Sequence, residues 1–253
     1  MPSVLIELGF LTNKTEGAYL NSNKGQTDMA EAISLAVTKY RNDFYRNLTS
    51  YEEDKFIRYS KLEFMTQELF QGKKDYIFVD RSGLASYYLD FSGILIPGSF
   101  NPLHNGHVGL LETAKNMTKL EPFFEISISN VDKSNIALED LNSRIKQFSN
   151  VGKLLITNSP TFEDKSNIFK KSIFVIGYDT AVRILDKKYY KRDMHKSFLN
   201  IYKNECSFLV TGREIDGKYK GLGDIKIADY EELFSIIPEE NFRLDVSLSL
   251  IHI

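Results

Sequence analysis

The chain has 253 residues, of which 42% are hydrophobic and 26% charged, and its formal net charge is -2. This is the composition of an ordinary globular protein with one large or two modest domains, and so balanced a charge gives no bulk attraction to nucleic acid or to an anionic membrane. The single cysteine, Cys206, excludes an intrachain disulfide and a thiolate zinc cluster; no apolar run reaches membrane-spanning length, and no signal-type core opens the chain. The expectation is a soluble, cytoplasmic protein with neither nucleic acid nor membrane as a partner.

In chain order, Val4 to Leu8 is a short apolar run that contains Glu7 and is broken by Gly9, which predicts a strand ending in a loop. Met29, Ala32, Ile33, Ala36 and Val37 have helical spacing, with Thr27 and Asp28 as a start signal, so a helix is predicted to Tyr40. Together these make residues 1–48 a small αβ appendage. A second helix is predicted over Thr49–Phe70, with Gly72 as its stop. Tyr76–Asp80 and Ala85–Leu89 flank Arg81-Ser82-Gly83-Leu84 and read as a hairpin, whose aromatic residues Tyr76, Phe78, Tyr87 and Tyr88 fit cross-strand packing better than base stacking. Residues 49–93 are therefore an edge or spacer element, a connector without chemistry of its own.

From Ile94 onward strands and helices alternate. Strands are predicted at Ile94–Ile96, Phe123–Ser129, Leu154–Thr157, Ile173–Gly177 and Ser207–Val210, and helices at Leu138–Phe148, Thr180–Leu185 and Phe198–Asn204. This alternation predicts an α/β fold, a Rossmann-like parallel sheet with helices on both faces, which binds ligands at the C-terminal ends of its strands. The third domain is expected to run from residue 94 to the end of the chain.

The most informative stretch is Gly98-Ser99-Phe100-Asn101-Pro102-Leu103-His104-Asn105-Gly106-His107, between the apolar run at Ile94 and an apolar-periodic segment from Val108. Strand, tight turn and first helical turn in that order bring free N–H groups and the positive end of a helix dipole to one point, where phosphate binds. His104 and His107 are three apart and can face one side. Two other uses of the pair are half of a metal site and a purely structural contact. Further polar groups follow the predicted strands: Ser129 to Lys133, then Arg144 on the next helix, Gly177-Tyr178-Asp179-Thr180, and Thr211-Gly212-Arg213.

The Gly98–His107 stretch resembles the GxFxPxHxGH signature of the nucleotidylyltransferase superfamily; Gly177 with Asp179 looks like its GxD element, and Gly212-Arg213 like its late arginine. The resemblance spans residues 94–247 and is similar to nicotinamide-nucleotide adenylyltransferases and cytidylyltransferases. It implies transfer of a nucleotidyl group from ATP or CTP to a phosphorylated acceptor such as nicotinamide mononucleotide, with release of pyrophosphate. Magnesium would come with the nucleoside triphosphate. His104 and His107 would donate to phosphate oxygens, more strongly when protonated. Backbone N–H groups at Ser99 and Phe100 would bind phosphates, with Gly98 admitting their close approach, and Asn101 would orient the triphosphate or the nucleoside. Lys133 and Arg213 would contact phosphates, Asp179 the nucleoside, and Arg144 the acceptor's negative charge. ATP and CTP both remain open, as does the oligomeric state.

The two ends read differently. Residues 1–48, with "PSVLIELGFLTN", resemble the C-terminal end of zinc-dependent N-acetylmuramoyl-L-alanine amidases, in which Glu7 would assist zinc-bound water; the zinc ligands of that family have no counterpart here. After Phe242 to Ser247 the superfamily typically continues with "SSTxIR", whereas this chain reads Leu248-Ser249-Leu250-Ile251-His252-Ile253, which looks like a translated sequencing adapter. The expectations are a natural chain cut at Ser247 and an artefactual join to the amidase-like start. The alternative functions are a catalytically incomplete nucleotide-binding or structural fragment, and an amidase fragment.

Overall fold

The computed structural model describes residues 13–48, 51–129, 135–190 and 193–243, without the side chains of 40–60, 189 and 228. The predicted strand at Val4–Leu8, Glu7, Lys133 and the segment after Arg243 lie outside the described residues. The chain divides into two compact units, Met1–Tyr59 and Ser60–Ile253.

In the first unit, α1 (Lys14–Leu20) starts at Asn13, whose side chain accepts from the N–H groups of Thr15 and Glu16 and so satisfies two of the helix's orphan donors. α2 (Asn23–Leu48) begins four residues before the predicted start at Thr27. Ser22 explains the difference, because its Oγ accepts from Gly25 N–H at 2.9 Å and caps the helix earlier.

In the second unit, the part of α3 (Tyr51–Phe70) after Tyr59 has Leu62, Met65 and Leu69 on one buried stripe, while Phe64 is turned outward. β1 (Tyr76–Val79) and β2 (Ala85–Ser86) form the predicted hairpin, and Asp80 closes its turn by accepting from Ser82 and Leu84 N–H. The aromatic residues do not pack across this hairpin as predicted. Tyr76 and Phe78 meet Phe169 and Phe123 of the sheet's core, Tyr87 donates to Glu68, and Tyr88 is exposed. The reason is that β1 pairs antiparallel with a strand of the main sheet, so its aromatic face is covered by that sheet. The compact second unit accordingly includes the connector's hairpin.

The body continues through β3 (Gly93–Pro97), α4 (Asn105–Thr118), β4 (Glu121–Ser127), α5 (Leu138–Lys146), β5 (Lys153–Thr157), α6 (Phe162–Ile168), β6 (Ile173–Gly177), α7 (Tyr178–Ile184), α8 (Met194–Lys203) and β7 (Ser207–Thr211). A short hairpin, β8 (Arg213–Ile215) with β9 (Lys218–Lys220), precedes β10 (Phe234–Ile237). The eight-stranded sheet has the order β10-β7-β6-β3-β4-β5-β1-β2, parallel from β10 to β5 and antiparallel at the β1–β2 edge. Alternate residues of each central strand serve two cores: Ile94, Ile96, Phe124 and Ile126 face α3, α4 and α5, while Leu95, Phe123, Phe174 and Phe208 face Phe169, α7 and α8. Both faces being covered is why β3 reads as a continuous apolar run. The strand order reverses between β3 and β6, and a crevice opens there at the C-terminal ends of the strands. Among the described residues no helix is long and apolar enough to cross a membrane.

Candidate active site

A cleft of about 1260 Å³ lies along this edge, and His104, His107, Asp179 and Arg213 all line it, together with Gly98, Ser99, Asn101, Arg144 and Gly177. Chain folding brings together four polar groups that follow β3, β6 and β7. Lys133 lies outside the described residues.

The turn after β3 is organised by a side chain that does not line the cleft. Phe100 has φ of 43° and is 1% exposed. Its ring meets Phe124 and Phe148 edge-on at 5.3 Å each, and His107 at 4.9 Å. A phenylalanine in left-handed backbone conformation is unfavourable alone, and burial of the ring offsets that cost. Gly98 has a steric reason of its own: a Cβ there would lie 2.8 Å from the Phe100 ring, and the Gly98 N–H is given to Glu125 O at 3.0 Å. The glycine makes room for the ring. Gly177 is the opposite case, since a Cβ there would meet nothing within 4 Å and would project into open space.

His104 is the N-cap of α4, with extended backbone, and His107 sits three residues on. Their rings stack with centroids 3.7 Å apart and 24° between planes. The His104 N–H donates to His107 Nδ1 at 3.2 Å, so the neutral His107 ring carries its proton on Nε2. Burial, with His104 as a second cause, pushes the His107 pKa down to about 4, and burial also lowers that of His104. Two stacked, half-buried rings at a helix N-terminus are held neutral, so the stronger donation of a protonated imidazole is not what this geometry favours. His107 is therefore an oriented neutral N–H donor. The Nδ1 of His104 is buried and lacks a hydrogen-bond partner.

On the other side of the crevice, Asp179 lies in the first turn of α7 and Arg213 opens β8; the two form an ion pair with each other, both more than half exposed. The separate assignments of Asp179 to nucleoside and Arg213 to phosphate thus start from groups that are mutually bound. Arg144 also has a protein partner, as its Nη1 donates to Ser99 O at 2.9 Å.

Two features, one in the cleft lining and one behind its turn, were not read from the sequence. Glu125, on β4, is 1% exposed; its Oε1 accepts from Thr157 Oγ1 at 2.6 Å and from Lys165 Nζ at 2.9 Å, and Lys165 also donates to Ser159 O. Both ions are side chains of the cleft lining. Glu125 is the odd polar residue inside an apolar strand, and that mismatch was the available signal. The second is Gln147, which donates Nε2 to Phe100 O at 3.2 Å and accepts from Leu103 N–H at 2.7 Å. Nothing in the sequence marked it.

Residues 95–216 match the family model described as cytidylyltransferase-like. Over those residues the chain carries a cytidylyltransferase-like domain. Its span holds His104, His107, Asp179 and Arg213 of the cleft. A protein of Schizosaccharomyces pombe named "Putative nicotinamide mononucleotide adenylyltransferase" is 28% identical over 137 residues, covering 49% of this chain and 54% of the relative. The chain thus spans about half the length of the curated relative it matches. Residues 1–39 match the N-acetylmuramoyl-L-alanine amidase family, in accord with the resemblance of that segment.

Proposed function

We propose that the protein transfers a nucleotidyl group from ATP or CTP to a small phosphorylated acceptor, with nicotinamide mononucleotide as the first acceptor to try because of the fission-yeast relative's name. The observation that carries this reading is the convergence of His104, His107, Asp179 and Arg213 on one cleft at the strand-order reversal of a cytidylyltransferase-like domain.

In the proposed reaction an acceptor phosphate oxygen forms a bond to the α-phosphorus, the α–β phosphoanhydride bond breaks, and its electron pair leaves on pyrophosphate. No covalent enzyme intermediate is needed, so catalysis rests on positioning and on donors placed where negative charge builds. Neutral His107 gives its Nε2–H to a phosphate oxygen, and the pairing of His104 N–H with His107 Nδ1 holds that proton in place. The N-terminus of α4 adds its dipole. Arg213 releases Asp179 in favour of phosphate, or stays paired while Asp179 receives a ribose hydroxyl. Among the described residues no three His, Cys, Asp or Glu side chains gather into a metal site. The proposed magnesium ion comes with the nucleotide substrate, held mainly by phosphate oxygens and water. The proposed setting is the cytoplasm, supported by a single, buried thiol.

Titration calorimetry with magnesium-ATP and magnesium-CTP separates the two donors, and pyrophosphate release with nicotinamide mononucleotide tests the transfer. Binding of one nucleotide in the micromolar range with turnover is the expected result. Failure of both nucleotides to bind overturns the proposal.

A further inference from the structure

The end of α5 grips the signature turn at three of its residues. Arg144 donates to Ser99 O, Gln147 donates to Phe100 O and accepts from Leu103 N–H, and the Phe148 ring stands 5.3 Å from that of Phe100. These contacts join residues more than 40 apart in the chain. They also fix peptide planes. In a trans peptide the N–H of one residue points opposite to the C=O of the residue before it. The Ser99–Phe100 and Phe100–Asn101 peptides are trans, the cis bond of this turn being Asn101–Pro102. Tying Ser99 O and Phe100 O to α5 therefore turns the Phe100 and Asn101 N–H groups to the side away from α5.

We propose that Arg144 and Gln147 are positioning residues which, by holding those two carbonyls, present the Phe100 and Asn101 N–H groups to the triphosphate. This inference rests on the nucleotidyl-transfer reading and assigns residues that the sequence either missed or placed on the acceptor. Gln147 is suited to the task because an amide offers one donor and one acceptor, matching one carbonyl and one N–H. A carboxylate cannot replace it, since it would face the Phe100 carbonyl with a second acceptor. A protonated carboxyl can, because it again donates and accepts.

Steady-state kinetics of Q147L, Q147E and R144M against the unaltered protein, per folded molecule, test the proposal. Q147L is expected to lose about 100-fold in kcat/KM, the scale of an ångström-level misplacement, with the KM for the acceptor little changed. Q147E is expected to be as poor at pH 8 and to recover at least tenfold, relative to the unaltered protein, as the pH falls to 5. Taking the ratio to the unaltered protein removes the titration of His104 and His107, which share the turn with the Arg144 guanidinium. R144M, which frees one carbonyl, is expected to lose about tenfold on the same scale. Should Q147L not fold, Q147E and R144M carry the test. An active unaltered protein with Q147E flat in pH ratio, or with R144M and Q147L within twofold of normal, overturns the clamp and leaves the nucleotidyl-transfer reading standing. An inert unaltered protein overturns both.

Discussion

The two sides of the cleft are built on opposite principles. On the β3 side, His107 is half-buried, stacked on His104, tied to the N-cap backbone and backed by the Phe100 ring, which is itself wedged between Phe124 and Phe148. On the β6–β7 side, Asp179 and Arg213 form an exposed ion pair on the first residues of a short helix and of a two-stranded hairpin. The histidine pair of the first side is uncharged and locked by packing; the ion pair of the second is charged and adjustable. A donor that must meet developing charge within a few tenths of an ångström belongs on the rigid side, because preorganisation is what makes it effective. A group that changes partner when a nucleotide arrives belongs on the exposed side, where an ion pair costs little to break.

The contrast is sharpest in the consequences of removing one group. His107→Ala is expected to lower the proposed transfer rate by about 10³-fold while nucleotide affinity stays within about threefold, the signature of a donor used in the transition state. An equal fall in affinity and rate, measured by calorimetry beside steady-state kinetics, would place His107 in ground-state binding instead. Next in size is Gly98→Ala. Its methyl would strike a ring that cannot retreat, so unfolding stability should fall by about 1–3 kcal/mol, the usual cost of overpacking, and the turn should shift with it. Denaturant melts that superimpose on those of the parent would show that Phe100 has room to give.

The rigid side also has a pH signature. With a folded-state pKa of about 4 for His107, against an unfolded value near 6.5, the unfolded chain binds a proton in that window which the folded chain refuses. The contribution of the neutral ring is intact above about pH 6.5 and is lost progressively as the pH falls towards 4. Proton NMR of the imidazole carbons should find His107 titrating near about 4 in the free protein. A midpoint at 6 or above would mean that the ring is solvated and the stack is open. The smallest effect belongs to the other side: Asp179→Ala should change stability by less than about 1 kcal/mol, as exposed ion pairs do. A loss of several kcal/mol on thermal unfolding would make the pair part of the frame.

The parallel sheet, its alternation with helices and the strand–turn–helix around Gly98–His107 were legible from residue order because each depends on local pattern. Apolar runs such as Ile94–Ile96 mark strands covered on both faces, and glycine and proline between strand and helix mark the turn. The grouping of His104, His107, Asp179 and Arg213 was legible through spacing behind strands, since the C-terminal edge of a parallel sheet collects whatever follows its strands. Other features escaped for one physical reason. The neutral state of the histidines depends on burial and on each other's rings, and the role of Gly98 on a ring two residues away whose direction is set by Phe124 and Phe148. The Glu125–Lys165 pair and the Gln147 ties depend on contacts across about 40 residues of chain. By itself the amino-acid order of this protein determined which elements form and which chemical groups sit at their ends. Only the tertiary structure decided which of those groups are charged, which are already partnered and which are held still, because desolvation and hydrogen bonding act between residues that meet only after folding.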